Sequence, residues 1–127
     1  MADGGGVMAP PPAGTNQKLY TDADPIAGHA FGVKLDTLRE IDAYARALDP
    51  RVVQVTATIA ASCQEVAILR PEGGLVTDIR PMTRVSISVI VEEGGRREQG
   101  SASGGGRYLL DGLLDPADWQ ARAREAL

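Results

Sequence analysis

Apolar residues recur at three- and four-residue intervals between Val33 and Leu48, so that they share one side of a helix. This pattern predicts an amphipathic helix of about four turns. Pro50 restricts Asp49 to extended backbone angles and is expected to end the helix. The predicted apolar stripe consists of Leu35, Leu38, Ile41, Ala45 and Leu48.

The next sixty residues change to an alternation of apolar and polar positions, which is typical of half-buried strands. The clearest example is Arg84–Glu92, in which valine and isoleucine alternate with arginine, serine and glutamate. Ser62–Gln64 is interpreted as a turn, and Pro81 is placed at the end of a strand, where a missing amide donor is tolerated. The pattern predicts five strands: Arg51–Ala61, Glu65–Arg70, Leu75–Arg80, Arg84–Glu92 and Arg96–Ser103.

Turn and cap signals complete the prediction of the fold. Glycine pairs at Gly73–Gly74 and Gly94–Gly95 predict two hairpin turns. Asp115 followed by Pro116 predicts the start of a C-terminal helix, because an N-cap acceptor precedes a proline at the first helical position. The sequence therefore predicts an α+β fold, with an antiparallel sheet of about five strands between an N-terminal amphipathic helix and a C-terminal helix.

The two glycine-rich stretches are interpreted differently. Residues 1–18 combine glycine and proline without periodicity and are expected to form a flexible leader or linker, which leaves 19–127 as one domain. The run Gly104–Gly106 is expected to lack a fixed conformation unless it meets outside contacts. The C-terminal helical pattern stops at Leu127 without a glycine or proline, which favours a cut in a longer chain.

Composition excludes several classes of protein. The net charge of -4 and the pI of about 4.9 have the wrong sign for a protein that neutralises a nucleic-acid backbone. No apolar run approaches the length of a membrane helix. The single cysteine, Cys63, excludes an internal disulfide and fits a reducing cytoplasm. We therefore expect a cytoplasmic protein without nucleic-acid or membrane partners.

The sequence contains few residues in the combinations that catalytic sites require. A catalytic zinc site usually contains two histidines, and this chain has only His29. Cys63 lacks an evident base and third partner for nucleophilic chemistry. Ser101–Arg107 resembles a phosphate loop only in its glycines, because no Lys-Ser/Thr pair follows. The scattered carboxylates are interpreted as solvated surface acids, and we predict neither catalytic nor metal-binding residues in this chain.

A polar sheet edge offers a possible binding surface. Arg96–Ser103 could accept an extended peptide by strand addition. Its polarity equally suits the protection of an ordinary edge against aggregation. Both interpretations stay open.

Three sequence strings resemble the middle region of the TldD/PmbA family, whose members were once named modulators of DNA gyrase. The strings are KLDTLREIDAYARALDPRVVQV (Lys34–Val55), TDIRPMTRVSISVIVEEGGRREQGS (Thr77–Ser101) and GGGR (Gly104–Arg107). The similarity extends from about Leu19 to Leu127.

The resemblance implies cytoplasmic zinc metallopeptidases that degrade or process peptides and pair with a PmbA-type (TldE-like) subunit. In that family an H-E-x-x-x-D-H helix and a later cysteine, both C-terminal to the matched region, hold the zinc. No position here corresponds to them, so zinc is expected in the full-length parent and no cofactor in this chain.

The resulting prediction is a non-catalytic domain of such a peptidase, which helps to form the substrate chamber or the subunit interface. The alternatives are a stand-alone peptide- or protein-binding module and a structural dimerisation domain. Expected partners are the rest of the polypeptide, a PmbA/TldE-like subunit or a second copy, and peptide substrates. The residues predicted to contact substrate or partner are Arg96, Arg97, Gly104, Gly105, Gly106 and Arg107.

Overall fold

A computed structural model describes residues 18–127 of the chain. The elements are α1 (Phe31–Leu48), β1 (Val52–Leu69), β2 (Leu75–Glu93), β3 (Arg96–Gly106), α2 (Asp111–Leu114) and α3 (Pro116–Glu125). The strands form one antiparallel sheet in the order β1-β2-β3. Apart from Lys18, the predicted leader lies outside the described residues.

The prediction of about five strands is wrong, because the described residues form three. Ser62–Gln64 is not a turn: alternation continues through it, and these residues pair with Met82, Pro81 and Arg80. Four predicted strands are therefore the two halves of β1 and of β2. The α+β combination of a helix, an antiparallel sheet and C-terminal helices stands.

Pro81 lies inside β2 rather than at a strand end. The amide of Glu92 donates to the carbonyl of Arg51, so even-numbered residues of β2 direct their backbone groups towards β1. Pro81 is odd-numbered and lies beyond the last β2–β3 pair, Thr83 with Gly106. The donor that proline lacks would therefore point away from β1, which explains why the long strand tolerates it.

The core lies on one face of the sheet, beneath α1 and α3. Val85, Ile87 and Val89 of the central strand are almost fully buried, as the alternation in β2 predicts. Ile41 and Ala45 of α1 pack onto the β1 part of this face, and Trp119 and Ala123 of α3 cover the β3 part of the same face. The helices are linked to each other as well: Arg124 Nη1 donates to Tyr44 Oη at 2.6 Å, and the rings of Tyr44 and Trp119 meet edge to face.

The side of β3 that faces α3 consists of small residues: Gly100, Ala102, Gly104 and Gly106. A Cβ atom on Gly100 would lie 2.1 Å from the carbonyl oxygen of Ala126, and one on Gly104 would lie 2.0 Å from Nη1 of Arg122. The glycine run is therefore ordered by contacts within the chain, contrary to the expectation that it needs outside contacts. At Gly100 the strand therefore meets the backbone just after α3, and at Gly104 the guanidinium of Arg122 fills the space that a side chain of β3 would occupy.

Local signals at the helix ends agree with the sequence. α1 ends at Leu48, before Asp49 and Pro50, and the carboxylate of Asp115 accepts from the amide of Ala117 at 2.8 Å. Asp49 also accepts from the backbone and the guanidinium of Arg51, and Arg51 Nη1 donates to Glu93 at 2.9 Å. This network ties the end of α1 to the β2–β3 hairpin.

We predict that Gly100→Ala lowers the free energy of unfolding by about 1–3 kcal/mol, because the new methyl group must displace the backbone of Ala126. Gly112→Ala is the matched control, since its Cβ would have no atom within 4 Å. Urea denaturation followed by circular dichroism measures both variants. Equal losses in the two variants would contradict close packing of α3 on β3.

We predict an acid-dependent contribution from Asp49. Hydrogen bonds from the side chain and then the backbone of Arg51 lower the pKa of Asp49 from 3.8 to about 2. Because the folded-state pKa lies below the unfolded one, the stabilisation is present above pH 3.8 and is lost as pH falls towards 2.

The difference in stability between the native chain and Asp49→Asn should therefore stay constant above pH 3.8 and shrink as pH falls towards 2. Urea unfolding across this pH range measures it. A difference that does not change with pH would remove the assigned role of Arg51.

Candidate functional site

The six residues predicted to contact substrate or partner lie at opposite ends of β3. Arg96 and Arg97 follow the Gly94–Gly95 turn, whereas Gly104–Gly106 end the strand and Arg107 follows it. β3 has eleven residues, so its two ends lie ten residue steps, or roughly 33 Å, apart. The structure therefore does not bring the six residues into one site.

The two hairpin arginines have acidic neighbours. Nε of Arg97 donates to Oε2 of Glu92 at 2.6 Å, and Arg96 lies 3.6 Å from Glu98. Both pairs are exposed, where an ion pair contributes little to stability but still neutralises local charge. This end of the sheet carries balanced charge and does not form a concentrated cationic surface.

The opposite end of β3 is shaped by packing. Gly104 lies beneath Arg122, and a Cβ on Gly106 would meet the ring of Tyr108 at 2.3 Å. The buried hydroxyl of Thr83 donates to the carbonyl of Tyr108 at 2.9 Å and so fixes the chain after the strand. The guanidinium of Arg107 lies 5.5 Å from the ring centroid of Tyr20, a cation–π contact.

The donor set of this region does not fit a metal centre. Within residues 18–127, no three or more His, Cys, Asp or Glu side chains group closely enough to hold a metal ion. Nε2 of His29 lies 3.3 Å from Oδ1 of Asp111, so these two groups form a pair only. Cys63 lies half-buried within β1. Neither residue joins a ligand set, and we assign no catalytic step to this chain.

The face of the sheet opposite the helices carries a pattern that the sequence predictions left unused. Cross-strand register aligns Thr56 with Ser88 and Ser101, and the neighbouring row aligns Thr58 with Ser86 and Ser103. We call this surface, from the row of Gln54 to the row of Ser62, the open face. The alternation in β1 and β2 identifies its residues, but only the register shows that their hydroxyls form rows.

None of the helices in the described part of the chain has the length and apolarity needed to cross a membrane.

Comparison with known proteins connects this domain to a family. Residues 26–127 match the family model described as the PmbA/TldA metallopeptidase central domain. A "Metalloprotease TldD homolog" of Haemophilus influenzae is 41% identical over 104 residues, which cover 82% of this chain and 22% of that protein.

Two proteins with the same description, from Buchnera aphidicola, extend the comparison. The one from the subspecies Acyrthosiphon pisum is 36% identical over 104 residues, covering 82% of this chain and 22% of that protein. The one from the subspecies Schizaphis graminum is 43% identical over 89 residues, covering 70% of this chain and 18% of that protein.

The chain thus spans about a fifth of the length of the curated relatives it matches. The family match includes α1, all three strands and both C-terminal helices. The resemblance noted in the sequence is confirmed, and the chain belongs to the PmbA/TldD metallopeptidase family through its central domain.

Proposed function

We propose that this chain acts as a non-catalytic domain of a TldD-like zinc metallopeptidase that degrades or processes peptides. In this role it helps to form the substrate chamber or the subunit interface. The observation that carries the proposal is the match of residues 26–127 to the central domain of the family, together with relatives named as metalloproteases. Zinc belongs to the parent protein, and its ligands lie outside residues 18–127.

The architecture of the sheet supports a role in building a larger assembly. The helices cover only one face, and β1 and β2 continue beyond the end of β3 as a two-stranded ribbon. At the tip of this ribbon Ile68, Leu69 and Leu75 are 57%, 74% and 62% exposed. An isolated two-stranded ribbon is marginally stable in water, so neighbouring protein surface would stabilise it.

The proposed partners are those that the family resemblance implies. They are the rest of the polypeptide, a PmbA/TldE-like subunit or a second copy of the chain, and peptide substrates. The proposed location is the cytoplasm. Of the residues at the ends of β3, Arg96, Arg97, Gly105 and Arg107 are exposed and are the proposed points of contact with substrate or partner.

A stand-alone peptide- or protein-binding module is the alternative, and one observation favours it. β3 forms an edge of the sheet, so an extended peptide could add to it as a fourth strand. The coding sequence beyond Leu127 distinguishes the two functions. Continuation into an H-E-x-x-x-D-H segment supports the peptidase domain, whereas an immediate stop codon supports the module.

We predict that the matched residues of this chain can replace the corresponding 104 residues of the Haemophilus influenzae relative and preserve peptide cleavage. Their 41% identity is expected to preserve the backbone that shapes the chamber or interface. Cleavage of a casein-derived peptide mixture, zinc content and assembly size are measured on the chimera and on the parent.

Two variants of the chimera sharpen this test. Gly100→Ala, which disturbs the packing of α3 on β3, should reduce cleavage while zinc content stays at the parent value. Gly112→Ala should leave cleavage unchanged. The proposal would be contradicted if Gly100→Ala unfolded this region of the chimera and peptide cleavage, zinc content and assembly size all stayed normal.

A further inference from the structure

The open face carries one charge, which lies on the central strand β2. Arg84 is the single charged side chain in the five rows that run from Gln54–Ile90–Gln99 to Ser62–Met82. The remaining polar groups in these rows are hydroxyls and amides. In a chain with a net charge of -4, this face is therefore locally positive.

Arg84 forms no ion pair with a carboxylate of residues 18–127. Its Nη2 donates to the hydroxyl of Ser103 at 3.0 Å, and no ion pair to it is found in this part of the chain. Its cross-strand neighbours are Ala60 and Gly105, which are too short to reach the guanidinium. Two arginines that flank the open face differ, because Arg80 pairs with Asp78 at 2.7 Å and Arg97 pairs with Glu92.

Two shallow hollows adjoin Arg84. One, of about 190 Å³, is lined by hydroxyls that include Thr58, Ser86 and Ser103. The other, of about 520 Å³, is lined by Met82, Ser103 and Gly105 among others. Arg84 and Ser103 border both hollows, which follow one another along the strands. An extended polypeptide that lies along the strands would pass through both and cross the guanidinium.

The chemistry of these groups selects a carboxylate on a peptide. A guanidinium presents parallel N–H donors that match the two oxygens of a carboxylate. The surrounding hydroxyls both donate and accept, as a peptide backbone requires. One guanidinium balances the single charge of a carboxylate, and the open face offers no second cation for a doubly charged phosphate.

We propose that the open face binds extended polypeptide segments that carry an acidic side chain, with Arg84 as the carboxylate-binding residue. This proposal rests on the proposed function in one respect, because it takes such segments to be substrates of the parent peptidase. Binding itself is a property of this chain and can be measured without cleavage.

The test uses the 127-residue chain, labelled with ¹⁵N, and two capped nine-residue peptides of glycine and serine that differ only in a central Glu or Gln. The Glu peptide should bind roughly tenfold more tightly, because it adds one charge-assisted pair of hydrogen bonds. Its amide shift changes should centre on Thr58, Arg84, Ser86 and Ser103. Binding should weaken with added salt.

Three variants identify the group responsible. Arg84→Gln should abolish the preference for Glu over Gln, and Arg84→Lys should retain part of it, because charge remains but the planar fork is lost. Arg39→Gln, an exposed arginine on α1 that pairs with Asp36, is the matched control and should leave the preference unchanged.

Equal affinity for the two peptides, an undiminished preference in Arg84→Gln, or shift changes centred on Arg96 and Arg97 would overturn the inference. Competition by inorganic phosphate at lower concentration than the Glu peptide would overturn it as well, because the face would then be a general anion site. Each of these results can occur while the chimera cleaves peptides normally, so failure here is distinguishable from failure of the proposed function.

Discussion

The close approach of α3 to β3 is the contact on which the rest of this domain depends. It requires a strand whose inner side has almost no side chains, and Gly100, Ala102 and Gly104 provide it. Because α3 lies so near the backbone, Trp119 and Ala123 reach the valine and isoleucine side chains of β2. The same arrangement allows α3 to contact α1 through Arg124 and Tyr44, which closes the core over one face of the sheet.

This packing determines which surfaces stay available. Because α1 and α3 lie on one side of the sheet, the opposite face stays uncovered and carries rows of hydroxyls and Arg84. The ribbon formed by the far halves of β1 and β2 extends past β3 and exposes apolar residues at its tip. A domain with one closed face and several uncovered surfaces is suited to a place inside a larger protein, in agreement with its membership of the PmbA/TldD family as a central domain.

Features governed by neighbours in sequence could be predicted from the sequence. The end of α1 before Asp49–Pro50 and the start of α3 at Asp115–Pro116 depend on local backbone and capping chemistry, and both predictions were confirmed. The strand count was wrong because Ser62–Gln64 and Pro81 look like breaks locally. Both are tolerated because each continues the register with the other strand, a long-range property that one segment does not reveal.

In the candidate site, too, the arrangement of the residues depends on long-range contacts that the local sequence does not reveal. Arg96 and Arg107 are close in sequence, but an extended strand places them at opposite ends of the sheet. The glycines between them suggested contact with another chain, whereas Arg122 and Ala126 of the same chain occupy that space. Conversely, Arg84 was interpreted only as a polar position in a strand, because its isolation depends on Ala60 and Gly105 in two other strands.

The central claim is that the chain supplies architecture and no metal ligands to a peptidase. Zinc analysis of the purified 127-residue chain, saturated with zinc and then dialysed against metal-free buffer, tests it most directly. The account predicts that no zinc is retained, because His29 and Cys63 belong to no ligand group within residues 18–127. One tightly held ion per chain, lost in His29→Ala or Cys63→Ser, would contradict it.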